Sequence, residues 1–504
     1  MSGGATIDGG RSARQRLTGA AGEVIRGRGG AAATAHPAAT RAALDILVAG
    51  GSAVDAAIAA QAVIATVMPE AAGLGGDLLV LVHRPGHGVV AVNGVGRSPS
   101  VAPARWTSDG GASVTVPGLV DGWMTLHAQG GRLSLGACLA PAIRLAAGAP
   151  LDASVVAAVG AQRRRLDRYG GSSWSLMSTA AGQVWRQPEL ASLLTDIASE
   201  GRAAFYQGAA AGAIEAAVAR HGGSLSAADL AAHRTGTPEP IGIAWDRGIL
   251  FVQPPPAQGV LLAMAAAWLE QHGRPNGVHL DHLLVELTDA AFAHRSTVVT
   301  RGADLLTEML APNLDRASRR GGARAYLHTA GVAVADADGT VVSSLVSVFD
   351  DFGSAVYVPD LGIVLGNRAA GFTSGDNAPA PARFPVHTLA PALIEHADGA
   401  VTALATPGAD GQVQTLLQLL AARRYDRAGW QEALTRPRWR TEDGRLLVEK
   451  GHAAADEFTA RSHDVLTRPH GDPIFGAVVI AGTDAGGPFA AADPRRGVQS
   501  GGLS

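Results

Sequence analysis

The residues with the clearest chemical potential lie in the stretch His328-Thr329-Ala330-Gly331-Val332, followed by Val334, Asp336 and Gly339. Val332 and Val334 alternate with small residues, Asp336–Gly339 is a turn cluster, and 341–349 resumes a β-rich run. That pattern predicts a hairpin with Thr329 at the mouth of its first strand. A threonine at a strand start is ordinarily a strand residue and nothing more. Scission between His328 and Thr329 would change that. Thr329 would then carry a free α-amine beside its own hydroxyl, the arrangement that lets a threonine act as a nucleophile without a separate base.

Three other groupings invite chemistry. The glycines of Gly73-Leu74-Gly75-Gly76-Asp77 suggest a phosphate cradle, but the G-x-G-x-x-G spacing and a Walker lysine are absent. A tight backbone approach served by glycine is the better reading, and a nucleotide-dependent enzyme is disfavoured. Arg97, in Asn93-Gly94-Val95-Gly96-Arg97-Ser98-Pro99, sits where a surface arginine is ordinary and where bidentate capture of a carboxylate is also feasible. His279 and His282 stand at i, i+3 on an expected helix with no third ligand motif, so no metal is assigned there, and no cofactor is implied.

The elements that must position these residues follow from composition and periodicity. At 504 residues the chain is long enough for two domains or one large layered core. Hydrophobic residues at 47% and charged residues at 17% suit a globular protein, and a formal charge of −3 with no basic run argues against nucleic-acid binding. The single cysteine, Cys138, excludes an internal disulfide framework. Residues 1–30 read as a loose tail without the apolar core of a signal peptide, and 56–68 is too short to span a bilayer, so a soluble, cytoplasmic protein is expected.

Order is expected near Ala35-His36-Pro37, where Pro37 opens a helix with Leu44, Leu47 and Val48 on one face and Gly50-Gly51 at its end. Ser52 caps a second helix striped by Val54, Ile58, Ala62 and Ala65. Strands are expected over 78–83, 88–93 and 248–252, helices over 155–169 and 209–221, and a rigid loop at Pro254-Pro255-Pro256-Ala257-Gln258-Gly259. The chain is mostly helical before Leu327 and strand-rich after Thr329.

The order of these motifs resembles the γ-glutamyltransferase family. Ala35-His36-Pro37, Gly50–Ala57, Gly73–Asp77, Gly96–Pro99, Val114–Gly118, Leu139–Ile143, Pro254–Gly259, Glu286 with Ala291–Arg295, Pro437–Trp439 and Asp493–Arg495 occur in unbroken succession over roughly residues 31 to 500. The resemblance implies an α+β fold, the four-layer αββα sandwich of N-terminal-nucleophile hydrolases. It further implies a precursor that cuts itself into a large subunit, 31–328, and a small one, 329–504, which pair as a heterodimer. Its substrate would be a small-molecule amide, with neither nucleic acid nor membrane as partner.

Residue by residue, the resemblance implies Thr329 as nucleophile and Ser347 in place of the family threonine that hydrogen-bonds it. Gly408 and Ala409, in Thr406-Pro407-Gly408-Ala409-Asp410-Gly411, fall at the oxyanion-hole run, where Ala409 replaces a glycine. Arg97 matches the family arginine on the substrate carboxylate, and Thr388 matches the second of two supporting hydroxyls, with His387 in place of the first. The sequence departs from the family at Gly371, where an Asp holds the substrate ammonium, and at Phe349, where an Asn stands. Asn367 and Arg368 are expected at the substrate, and Arg368 takes a position usually neutral or acidic. A cation in place of an acid disfavours an α-ammonium. The expected donor is therefore a carboxylate-bearing amide, oxamate-like or glutaryl-like. The alternatives are a true γ-glutamyltransferase or glutathione hydrolase, and an inactive member acting as a scaffold. The pattern His387-Thr388-Leu389 with Asn367-Arg368 resembles the branch of oxamate amidohydrolase and related acylases.

Overall fold

The computed structural model describes residues 15–17, 22–318 and 329–504. Its frame is two wholly antiparallel seven-stranded sheets stacked face to face. The first sheet runs, in spatial order, Gln15–Leu17, Gln499–Leu503, Gly30–Thr34, Ala330–Asp336, Val341–Ser347, Asp77–Arg84 and Gly88–Gly94. The second runs Ile25–Arg26, Gly487–Ala492, Val479–Asp484, Val401–Ala405, Ala392–Glu395, Gly248–Val252 and Ile241–Trp245. Both sheets contain strands from before and after Thr329, so the change from helix-rich to strand-rich sequence marks no boundary in space. The expected loose tail instead supplies two edge strands, Gln15–Leu17 and Ile25–Arg26. Among the described residues no helix is long and apolar enough to cross a membrane.

Helices cover both outer faces, completing the αββα order. Pro37–Val48, Ala53–Val67 and Leu119–Ala128 pack on the first sheet, and Leu135–Ala147 packs outside them on Ala53–Val67. Ser52 caps the second of these in a capping box with Asp55, as expected, and its alanine-rich surface is buried almost throughout. Gly259–His272, Leu280–Phe292 and Gly411–Tyr425 cover the second sheet. Between the sheets the core is built largely of small side chains, Ala31, Ala33, Ala333, Ala403, Ala405 and Ala481 among them, with Leu79, Leu345 and Leu393. Small residues let the sheets come close. Gly331 marks the tightest approach, since a Cβ there would lie 2.8 Å from Val479 Cγ2 and 3.5 Å from Ala405.

Candidate active site

The predicted hairpin forms. Ala330–Asp336 pairs with Val341–Ser347 in the register Ala330↔Val346 and Ala333↔Ser343. Side chains alternate across a strand, and Ala333 and Leu345 belong to the inter-sheet core, whereas Val332 and Val346 face the helices. Thr329 and Ser347 therefore share the inner face. Thr329 Oγ1 donates to Ser347 Oγ at 3.2 Å, and both residues are buried. Ser347 is paired with Asp77, and Leu78 with Gly94, so Thr329, Ser347, Asp77 and Val95 form one inner-face row across four strands.

Ser347 Oγ also accepts from the Phe349 N–H at 2.9 Å. Phe349 holds a left-handed backbone, φ +82°, which a bulky side chain rarely adopts. Its ring lies beneath the Arg368 guanidinium, 4.3 Å from centroid to Cζ.

Arg368 is buried and ion-paired. Its Nε donates to Asp77 Oδ2 at 3.0 Å and its Nη1 to Thr388 Oγ1 at 3.3 Å, while Nη2 has no hydrogen-bond partner among the described residues. Asp77 was not read as a site residue from sequence. The signal that could have found it is physical: a buried arginine needs a carboxylate, and Asp77 ends a glycine motif opposite Ser347.

His387, expected on a substrate carboxylate, turns to Asp77. Its Nδ1 accepts from the Leu389 N–H at 3.3 Å, so Nε2 carries the proton and meets Asp77 Oδ2 at 3.0 Å. Burial, with Arg368 beside it, pushes the imidazole down to about 4. Burial opposes ionisation of Asp77, yet the bonds and charges of His387 and Arg368 outweigh it and hold the carboxyl below its usual range. With the imidazole neutral above about 4, Arg368 supplies the compensating charge and His387 a hydrogen bond.

Asn367 and Arg97, also expected on the substrate, hydrogen-bond to the protein. The amide of Asn367 is engaged by the protein itself, donating to Ser108 O and Asp350 Oδ2 and accepting from the Asp350 N–H. Arg97 is exposed, donates to Ala382 O at 3.0 Å and stacks on Phe384 at 4.1 Å. His328 lies outside the described residues.

The loop Thr406–Gly411 leaves the strand Val401–Ala405 at the end where Gly331 touches Ala405, and so lies at the Thr329 end of the sandwich. The N–H groups of Gly408 and Ala409 have no hydrogen-bond partner among the described residues. Gly408 has φ +127° and Ala409 φ +49°, so the replacement of the family glycine by Ala409 falls at a position that needs a left-handed backbone. Gln258, also missed from sequence, ties this loop to the substrate side. Its Nε2 donates to Thr388 O at 2.8 Å and Ala409 O at 3.0 Å, and its N–H to His387 O.

The two histidines noted for metal diverge. His279 caps the helix Leu280–Phe292, while His282 Nδ1 meets His463 Nε2 at 2.8 Å beside Glu286. The Glu286 carboxylate accepts from Ser318 and Asn313, and His282 Nε2 meets Asn313 O, so this cluster closes a loop.

The chain's family model matches are extensive. Residues 39–503 match the gamma-glutamyltranspeptidase model. The oxamate amidohydrolase proenzyme of Klebsiella pneumoniae subsp. pneumoniae is 34% identical over 447 residues, 81% of this chain and 84% of that protein. The acylase ACY 1 proenzyme of Pseudomonas sp. (strain SE83) is 30% identical over 500 residues, 88% of each. Among solved structures, the cephalosporin acylase from Bacillus halodurans superposes with a TM-score of 0.86 at 28% identity, covering 97% of this chain and 98% of that one. The chain belongs to the gamma-glutamyltranspeptidase family and is a hydrolase of the N-terminal-nucleophile type.

Proposed function

We propose that the chain is a self-processing threonine amidohydrolase acting on an amide whose acyl group bears a carboxylate and no α-ammonium. The observation that carries this is the buried Thr329 Oγ1–Ser347 Oγ hydrogen bond at the head of an inner-face strand. In the uncut chain the Thr329 nitrogen is an amide and cannot act as a base. Attack of Oγ1 on the His328 carbonyl carbon would transfer the acyl group from nitrogen to oxygen, and water would open the ester. That leaves a carboxylate on the large subunit, 31–328, and a free α-amine on the small one, 329–504. The relatives named as proenzymes support this order of events.

In turnover, the Thr329 amine takes the Oγ1 proton as the oxygen attacks the substrate carbonyl, then returns a proton to the departing amine. The unpartnered N–H groups of Gly408 and Ala409 would receive the developing oxyanion, a contribution of roughly 3 kcal/mol per donor. Water then releases the acyl group. Arg368, through Nη2, and Thr388, through its hydroxyl, are the groups suited to the acyl carboxylate. A γ-glutamyl donor would bring an ammonium towards a guanidinium whose neutralising carboxylate, Asp77, is already paired. The similarity to an oxamate amidohydrolase and to acylases supports the same substrate class.

A denaturing gel with N-terminal sequencing, followed by assays on oxamate, a glutaryl amide and a γ-glutamyl amide, tests the proposal. Two unequal fragments, one beginning at Thr329, with turnover of the first two substrates ahead of the third, are expected. An intact chain, or a strong preference for the γ-glutamyl amide, refutes it.

A further inference from the structure

Away from the Thr329 row, two imidazoles and a carboxylate converge at His282, Glu286 and His463. His282 and Glu286 stand four residues apart on the helix Leu280–Phe292, so both leave the same face. His463 reaches them from the turn that follows the helix Ala455–Ala460. One ligand atom from each lies within 4.8 Å of the other two. Zinc holds nitrogen and carboxylate oxygen at about 2.0–2.2 Å, which in a tetrahedral shell sets the ligand atoms about 3.3 Å apart. His282 Nδ1 and His463 Nε2 stand at 2.8 Å. They need to open by about half an ångström and the carboxylate to close by at most about 1.5 Å, both within reach of side-chain rotation.

Two observations point to a cation there. Glu286 is wholly buried, and its carboxylate accepts only from neutral donors, the N–H and hydroxyl of Ser318 and the Asn313 N–H. No arginine or lysine pairs with it among the described residues. A buried carboxylate without a counter-charge is costly, and a divalent ion supplies that charge. The second observation is the tautomer of His282. Its Nε2 donates to Asn313 O at 2.9 Å, which leaves the Nδ1 lone pair turned to the cluster. A backbone carbonyl on the far ring nitrogen is the contact that orients a metal-bound imidazole. Burial also holds this imidazole below its ordinary value, so it is neutral at pH 7 and able to coordinate.

We propose that His282, Glu286 and His463 bind a divalent transition-metal ion, zinc by preference, which fastens the chain before Thr329 to the chain after it. Imidazole nitrogens suit zinc, whereas magnesium and calcium take oxygen ligands. His282 and Glu286 precede Thr329 and His463 follows it, so the ion bridges the two sides of the proposed cut. Asn313 and Ser318, which hold the ligands in place, belong to the segment that leads towards Thr329.

The test is calorimetric titration of the EDTA-treated, full-length protein with Zn2+. One equivalent should bind with a Kd of about 1 μM or tighter, and Mg2+ far more weakly. His463→Gln should weaken Zn2+ binding at least about tenfold. His463→Cys keeps a ligand in place, and its Co2+ adduct should show a sulfur-to-cobalt absorption band that the wild type, with Cys138 buried elsewhere, lacks. If His463→Gln does not fold, the cysteine variant decides alone. No uptake of Zn2+, Mg2+ bound as tightly, an affinity in His463→Gln within tenfold of wild type, or a Co2+ adduct of His463→Cys without the band overturns the site. Uptake needs neither scission nor turnover, so this result stands apart from that of the amide assays.

Discussion

Arg368 and Asp77, 291 residues apart in sequence, meet at 3.0 Å with both side chains almost wholly buried. The strand that begins at Asp77 is the neighbour of the strand that ends at Ser347, so this ion pair is attached to the row that holds Thr329. Asp77→Asn keeps the shape and removes the charge, leaving a buried guanidinium uncompensated. A loss of about 3–5 kcal/mol is expected, as for other broken buried pairs. Thermal unfolding reads it. The double variant Asp77→Asn with Arg368→Met should regain most of the loss while losing turnover of carboxylate-bearing amides. No recovery in the double variant would show that Asp77 matters for something other than Arg368.

Acid stability follows from the same cluster. His387 titrates at about 4 in the folded chain against roughly 6.5 when exposed, so the unfolded state binds the extra proton between those values. Stability is therefore full above pH ~6.5 and falls as pH drops towards 4, by at most about 3 kcal/mol from this residue. His233, pushed down to about 4 chiefly by burial, acts in the same direction. Asp77, held below its ordinary range, adds a further loss only as pH falls through its folded value. Urea midpoints at pH 7.5 and 5 should differ in this sense, and His387→Gln should flatten the dependence. An unchanged slope in that variant would falsify the assignment.

Much of this was legible in the sequence. The hairpin around Asp336–Gly339, the paired helices divided by Gly50-Gly51-Ser52 and the pairing of Thr329 with Ser347 are local or nearly so, set by alternation, capping and turn residues. What was hidden is long-range. Arg368 read as a bare cation because its carboxylate lies 291 positions away, and His387 read as a substrate ligand because nothing local reveals that both ring nitrogens are occupied. The Asn367 amide is taken up by Ser108 and Asp350, which its neighbours in sequence do not reveal. The strands Gln15–Leu17 and Ile25–Arg26 are short edge pairings whose partners sit at the far end of the chain.

Thr329→Ala should leave the chain at its full 51.1 kDa on a denaturing gel and abolish turnover. Ser347→Ala removes one hydrogen bond to Thr329 and one to the Phe349 N–H, and should slow both maturation and turnover about fivefold to tenfold. Wild-type rates in Ser347→Ala would mean that the contact orients nothing.

Gln258 holds Thr388 O and Ala409 O with one amide nitrogen, fixing the segment at Thr388 against the loop Thr406–Gly411, the proposed oxyanion hole. In Gln258→Leu both carbonyls lose a buried donor, which should destabilise the fold by about 1–3 kcal/mol. Because the misplaced groups act on the transition state, kcat should fall more than KM rises. A variant that unfolds earlier but keeps its kcat would limit Gln258 to packing.

Scission at Thr329 would not release two independent bodies. In the first sheet, strands on either side of the cut meet at four junctions, the strand Gln499–Leu503 lying between Gln15–Leu17 and Gly30–Thr34, and in the second sheet they meet at two. Each junction is an antiparallel ladder, and separation would expose the alanine-rich layer between the sheets along with unpaired strand edges. The matured fragments should therefore co-elute as one species through gel filtration at high salt, which weakens surface charge contacts but not buried apolar area. They should part only under denaturant, in a single transition seen by both fluorescence and circular dichroism. A large fragment that elutes alone and retains native circular dichroism would show that these ladders do not hold the halves together.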